Sequence, residues 1–404
     1  MRFLRSRLSL ALAAASLATP GSLVWGADLL SIFRDALVND AVYAGAKSTL
    51  EAGREALPQG FAGLLPTVNA TASTVSNSVE VSPRTPSAAF VPGSRGFNTN
   101  AYSISLTQPL FRWSNWQTYE QSKLSVMQAE AQYAQAGQDL AVRVAQAYFD
   151  VLAAQDTLES TRAQKSAVTE QLASAKRNFE VGTATITDTL EAQAKYDLAV
   201  AQELAADNDL RVKRVTLDQL VGRVGVEPRP LAVPVALPPV APSTVEPWVS
   251  QAEGGHPAIR KAQLGLDIAR IEIDRAKDAR LPTVDLNATL GLQRQTGQGV
   301  SYTGNTGQAS LGVQVNMPIY SGGAITNRIK ETVALEEKSR NDLDFARRSV
   351  EDGTKRAFFG VQSLIAQVKA YEAAEASSKL ALEATQLGYK VGVRVNLDVL
   401  NAQT

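Results

Sequence analysis

Val284, Leu286, Ala288, Leu290 and Leu292 alternate with Asp285, Asn287, Thr289, Gly291 and Gln293. A strict period of two predicts a strand with one apolar and one polar face. A loop rich in Gly, Ser and Asn follows over 294–308, and a return run sets Leu311, Val313, Val315, Met317 and Ile319 against Gly312, Gln314 and Asn316. The same design occurs earlier in the chain. A strand begins at Leu65-Pro66-Thr67, a loop covers 82–100, and Tyr102, Ile104 and Leu106 then alternate with Ser103, Ser105 and Thr107. Both return runs meet a proline, Pro109 and Pro318, which suits a strand end because proline brings no N–H to the ladder.

After Pro109 the period changes. Residues 110–227 hold no proline, and between Arg112 and Val221 the only glycines are Gly137 and Gly182. Apolar side chains recur at spacings of three and four, as in Val168, Leu172, Ala175 and Phe179, and again in Phe358, Val361, Ile365 and Val368. With Ala, Gln, Leu, Lys and Glu dominant, the segment favours helix. The pattern predicts a helix from Trp113 to Asn178, a tip at Val181-Gly182-Thr183, and a second helix from Thr187 to Leu220. The first would be about 100 Å long at 1.5 Å per residue. No single globular core covers such a helix, so it must lie along partners as a coiled coil or tube. Shorter helices are expected ahead of each hairpin, over 29–57 and 247–279.

These elements occur twice. Leu65-Pro66-Thr67-Val68 returns as Leu281-Pro282-Thr283-Val284, and Phe179-Glu180-Val181-Gly182 returns as Tyr389-Lys390-Val391-Gly392. Asp188, Leu190, Ala192 and Gln193 return as Asp398, Leu400, Ala402 and Gln403. The repeat is far longer than a solenoid unit. A first repeat over 28–222 and a second over 248–404 are joined by a linker, 223–247, whose many prolines cannot continue a helix. Ahead of them, Arg2, Arg5 and Arg7 precede the apolar run Leu8–Ala18, Pro20-Gly21 and the small residues near Gly26 and Ala27. That is the grammar of a secretory signal peptide over 1–27.

Composition narrows the function. The chain has 404 residues, no Cys, one His, and 40 basic against 40 acidic side chains. The charge balance excludes a generally basic nucleic-acid binder. Without Cys there is no thiol nucleophile, iron–sulfur cluster or cysteine zinc site, and a single His excludes a multi-histidine metal site. No nucleotide-binding or nucleophile motif is present, so no cofactor, metal or enzymatic role is expected. His256, before Pro257, reads as a loop residue at a helix start.

Strands of about ten residues, apolar on one face, match the thickness of an outer membrane. A soluble sheet with one wet face is the alternative. Export and the absence of an apolar helical span favour the membrane. Four strands cannot close a barrel, and open edges are not tolerated in lipid. Several chains must therefore share one barrel, and three chains give twelve strands. The apolar faces would meet lipid, while Asp285, Asn287, Gln314 and Asn316 would line water. Phe111, Trp113, Trp116 and Tyr320 stand at the strand–helix junctions, either as an interfacial girdle or as packing.

The order of signal peptide, helix, Leu-Pro-Thr strand, hairpin, very long helix, Val-Gly tip and helix, all duplicated, resembles the TolC family of outer-membrane efflux and secretion channels. The segments that carry the likeness are Phe179-Glu180-Val181-Gly182, Ile186-Thr187-Asp188 and Gly388-Tyr389-Lys390-Val391-Gly392-Val393-Arg394. The resemblance implies a mixed α and transmembrane β fold: a homotrimer with a 12-strand β-barrel in outer-membrane lipid and a long periplasmic α-helical coiled-coil tunnel. It implies a passive exit duct for type I protein secretion or multidrug efflux. The partners would be a periplasmic adaptor (membrane fusion protein) and an inner-membrane pump of ABC, RND or similar type, with no nucleic acid. The implied site residues are a periplasmic gate of Thr187, Asp188, Tyr389 and Arg394, and an aperture ring at Asp398 and Asn401. The family pattern has a second Asp where Asn401 stands, which weakens cation binding there. The adaptor-contact tips would be Val181, Gly182 and Thr183, with Val391, Gly392 and Val393.

By the repeat, the helix Ala194–Val221 has no counterpart before Thr404. The expectation is a second repeat short of its last helix, and a 404-residue form that assembles poorly. The rival reading is a trimeric coiled-coil structural or adhesive surface protein without a channel. The duplicated amphipathic hairpins count against it.

Overall fold

The structure is a computed structural model describing residues 26–81, 93–232, 235, 237–297 and 303–403. The signal-peptide reading and both hairpin loop ends therefore fall largely outside the described residues. The elements run α1 (Leu29–Asn39), α2 (Ala41–Arg54), α3 (Ala56–Ala62), β1 (Thr67–Val81), β2 (Gly93–Phe111), α4 (Trp113–Glu180) and α5 (Ile186–Val221). After the linker come α6 (Glu246–Gly255), α7 (Pro257–Asp278), β3 (Thr283–Gly297), β4 (Gly304–Asn316), α8 (Ala324–Lys390) and α9 (Asn396–Gln403). The chain divides into two compact units.

One unit comprises residues 41–140 and 237–376 and contains an antiparallel sheet of order β1-β2-β3-β4. Its register keeps like with like. Val68 faces Leu106, which faces Ala288, which faces Leu311; two residues along, the row is Ala70, Ile104, Leu290 and Ala309. Polar rows lie between them, such as Asn69, Ser105, Thr289 and Ser310. A slip of one residue would mix the two faces. On the apolar face Leu311 is 75% exposed and Leu290 is 63% exposed. The polar face is cross-linked: Thr71 and Ser103 hydroxyls lie 2.7 Å apart, Thr107 donates to Asn287 Oδ1 at 3.1 Å, and Asn287 Nδ2 donates to Gln314 at 3.4 Å.

Three expectations change here. The strands are 15, 19, 15 and 13 residues long rather than about ten, because the backbone ladder runs on where apolar alternation gives way to Ser, Asn and Gln. Pro109 does not end β2; pairing with β3 resumes at Phe111 after a register shift, a bulge that absorbs the missing N–H. Asp285 does not stand open to water. It is 8% exposed, and its carboxylate accepts from Arg112 Nε and Nη2 at 2.8 and 2.7 Å. Trp113, Trp116 and Tyr320 nearby are all exposed, and the two indoles stack at 6.5 Å.

The short helices are also more divided than their periodicity predicts. The stretch expected over 29–57 forms α1, α2 and α3, with a first break at Asp40, whose carboxylate accepts from Arg143 at 2.9 and 3.0 Å. The stretch expected over 247–279 breaks at His256-Pro257. Proline fits the first turn of α7 because its N–H would be unpaired there anyway. His256 is a helix cap, its Nδ1 accepting from the Ala258 amide at 3.2 Å. In this unit α7 and α8 meet through Ile259, Leu266 and Leu343.

The other unit comprises residues up to Asp40, 141–236 and 377–404. Several of its buried positions fall seven apart: Val144, Val151 and Leu158; Val168 and Ala175; Ala192 and Ala199; Leu210 and Leu217. Heptad spacing keeps one seam turned toward a partner helix, so α4 and α5 form a hairpin. Charges flank the seam. Lys213 meets Asp150 at 3.1 Å, and Glu203 accepts from Lys165 and from Arg162. The hydrogen bond from Lys165 holds the Glu203 carboxyl below its usual range, against an opposing effect of desolvation.

Candidate functional site

The hairpin α4–α5 and the ends of α8 and α9 bring two turns to one end of this unit. Both turns are built by the same backbone. Val181 N–H donates to Arg177 O, Gly182 N–H to Phe179 O, and Thr183 N–H to Asn178 O at 2.8 Å. In the second turn Val391 N–H donates to Leu387 O, Gly392 N–H to Tyr389 O, and Val393 N–H to Gly388 O at 2.9 Å. Gly182 and Gly392 take φ of 77° and 82°, the left-handed geometry that closes a helix C-terminus and suits glycine. Each turn presents bare valines: Val181 is 72% exposed, Val391 66% and Val393 76%. Thr183 is also exposed, its hydroxyl donating to Asn178 O at 3.0 Å.

The four residues expected at the gate stand around these turns. Thr187 is exposed in the first turn of α5. Asp188 completes a capping box: its carboxylate accepts from the Thr185 amide at 2.9 Å and the Thr185 hydroxyl at 2.7 Å, while the Thr185 oxygen accepts from the Asp188 amide. Tyr389 Oη accepts from Asn178 Nδ2 at 3.3 Å. Arg394 lies over Gly388, where a Cβ would come within 2.8 Å of its Cγ, and its Nη1 stands 3.6 Å from Asp398. Within one chain, then, Tyr389 joins the two hairpins. Asp188 and Arg394 each engage their own turn and do not meet. Asp398 lies in the first turn of α9, and the exposed Asn401 follows one turn later on the same side.

Sequence reasoning missed three polar residues that join the turns: Asn178, Gln171 and Asn396. Gln171 on α4 donates to Asn396 Oδ1, and Asn396 Nδ2 donates to Asp188 O at 3.4 Å. Beneath them Val168, Leu172, Ala175, Ala192 and Leu400 form a buried cluster. A signal existed. The repeat sets Asn396 opposite Ile186, a polar residue at an apolar position of the duplicated motif.

Among the described residues no cluster of three or more His, Cys, Asp or Glu side chains could hold a metal ion. Among the same residues no helix is long and apolar enough to cross a membrane. A closed antiparallel barrel is the other structure that spans lipid. Among the described residues the edge strands of this sheet, β1 and β4, each have a single neighbour, and such an open sheet needs further strands before lipid can surround it. The unit thus presents a sheet with open edges and an exposed apolar face, and the chain also carries helices of 68 and 67 residues.

Comparison with known proteins gives the family. The family described as outer membrane efflux protein matches residues 32–223 and 248–404. The outer membrane protein TolC of Vibrio cholerae is 32% identical over 393 residues, covering 96% of this chain and 86% of that protein. The alkaline protease secretion protein AprF of Pseudomonas aeruginosa is 31% identical over 377 residues, covering 93% and 78%. Among solved structures, the outer membrane protein VceC of Vibrio cholerae superimposes with a TM-score of 0.73 at 18% identity, over 93% of this chain and 89% of that one. The Campylobacter jejuni CmeC outer membrane channel gives 0.77, over 93% and 79%. The chain belongs to the outer membrane efflux protein family. It is an outer-membrane exit duct that extends into the periplasm, with the barrel-and-tunnel fold of TolC-like channels. AprF is named for secretion, and CmeC is described as an outer membrane channel.

Proposed function

We propose that three copies of this chain form the exit duct of a type I protein secretion system, driven by an inner-membrane pump through a periplasmic adaptor. The observation that carries the shared barrel is the open-edged sheet, whose β1 and β4 each lack a second neighbour among the described residues. Three copies supply twelve strands, a number within the range of known barrels. Protein cargo is supported by relatives named for protease secretion, AprF and PrtF. Small-molecule efflux is the second reading, supported by BepC of Brucella suis, named an outer membrane efflux protein.

In this reading the chain is two repeats, 28–222 and 248–404, joined by the 223–247 linker behind a cleaved leader over 1–27. The exposed Val181-Gly182-Thr183 and Val391-Gly392-Val393 turns receive the adaptor. Thr187, Asp188, Tyr389 and Arg394 form the gate, and Asp398 with Asn401 rings the aperture. In the single chain, Asp188 and Arg394 hold their own turns in shape. Any link between them as a gate is made across the protomer boundary.

Planar-bilayer conductance of the purified protein tests the reading. Discrete, cation-favouring steps are expected, with Asp188→Ala and Arg394→Ala giving larger or longer openings. Absence of any conductance from assembled trimers would return the surface-protein reading to first place.

A further inference from the structure

Asn396 is 2% exposed at the start of α9. Its amide is divided between two other helices. The oxygen accepts from Gln171 Nε2 on α4, and the nitrogen donates to the backbone carbonyl of Asp188 in the first turn of α5. The adjoining cluster of Val168, Leu172, Ala175, Ala192 and Leu400 is apolar and buried, so water cannot readily replace either bond while the turns stay packed. Moving the second turn away from the first must break both bonds together. The contact to Asp188 is made with main chain, while the Asp188 carboxylate is already occupied by Thr185. No side-chain change at 188 removes it.

We propose that Asn396 is a latch: a positioning residue that holds the α8–α9 turn against the α4–α5 hairpin in the shut tip and must release for the tip to open. The proposal rests on the gate reading above, yet it predicts a separate phenotype. Asn396→Leu keeps the bulk and removes both bonds. In planar bilayers it is expected to raise the open fraction about tenfold, the shift that corresponds to stranding the partners of one buried amide. Gln171→Leu is expected to act in the same direction. The double variant should open no further than Asn396→Leu alone, because both changes break one network.

The chain contains no Cys, so Gln171→Cys with Asn396→Cys gives a single thiol pair. Joined by a short methanethiosulfonate cross-linker, that pair should hold the channel shut, and reduction should restore opening. A merely structural role would lower trimer yield and leave the open fraction of assembled channels unchanged. That result overturns the latch, as does a cross-linked pair that still opens. If Asp188→Ala and Arg394→Ala open the channel and Asn396→Leu does not, the latch fails and the gate stands. If none of the three opens it, the gate reading itself has failed.

Discussion

At the first tip the chain passes from α4 to α5 through Gly182 at φ 77°, and at the second from α8 to α9 through Gly392 at φ 82°. The amide bonds that close the two turns match one for one. What differs is where the polar side chains go. In the first turn Thr185 and Asp188 satisfy each other in a closed capping box. In the second, Val395 stands in the place of Thr185 and offers no hydroxyl. Asp398 is left with a long 3.4 Å bond from the Val395 amide and with Arg394. Asn396, opposite the exposed Ile186, is buried and reaches into the neighbouring hairpin. Duplication has kept the turn and rewired its side chains: the first tip is capped by its own Thr185 and Asp188, and the second sends Asn396 into its neighbours. A two-state tip needs such an asymmetry, since one element must stay rigid while the contacts of the other can change.

The largest effect tests what the tips share. A Cβ at Gly182 or Gly392 meets nothing within 4 Å, so Gly182→Ala and Gly392→Ala each cost backbone strain alone, about 1–2 kcal/mol. Hydrogen exchange at the Thr183 and Val393 amides, which close the two turns, should accelerate by about five- to thirtyfold in each variant. Equal losses are expected. A loss confined to one tip would mean that the two turns are not held by the same backbone.

The next effect tests what separates them. Thr185→Ala opens the capping box and should cost about 1 kcal/mol, seen as roughly fivefold faster exchange at the Asp188 amide. Val395→Ala should leave the Asp398 amide almost unchanged, because that N–H bonds to the Val395 carbonyl. The reciprocal change, Val395→Thr, supplies the missing hydroxyl and should slow exchange through the first turn of α9. If Val395→Thr has no effect while Thr185→Ala does, the second turn is shaped by Asn396 rather than by the absent cap.

Much of this fold was legible because periodicity is a local signal. The helix expected from Trp113 to Asn178 runs from Trp113 to Glu180, and the one expected from Thr187 to Leu220 runs from Ile186 to Val221. Both lack prolines, and glycine marks the turn between them. The break at Asp40 was not legible, whereas His256 before Pro257 already read as a helix start. The Asp40 break is pinned by Arg143, a residue 103 positions away, and apolar spacing carries no trace of such a partner. Asp285 fits the alternation as a pore-facing polar residue, but its role is settled by Arg112, which only the strand register brings beside it. The tips divide in the same way. Gly182, Gly392 and the exposed valines follow from the motif, whereas the bonds of Gln171 and Asn396 span 225 residues and need the assembled hairpins to exist.

The smallest effect concerns the Arg394–Asp398 ion pair of the second tip. Arg394 and Asp398 lie 3.6 Å apart with side chains 60% and 38% exposed, so solvent screens most of their attraction. Arg394→Ala should weaken the turn by only about 0.2–1 kcal/mol. Two readouts separate this from a packing effect. Raising the ionic strength should shrink the difference between wild type and variant, since exposed charges are screened within about 10 Å at 0.1 M salt. The same salt should leave exchange at the first tip unchanged, because Asp188 is bonded at 2.7 Å to a hydroxyl and at 2.9 Å to an amide of its own turn. A variant whose deficit persists at high salt would point instead to the lost aliphatic stem of Arg394 over Gly388. The second tip would then be held by packing and by Asn396, with charge a minor contributor to its closure.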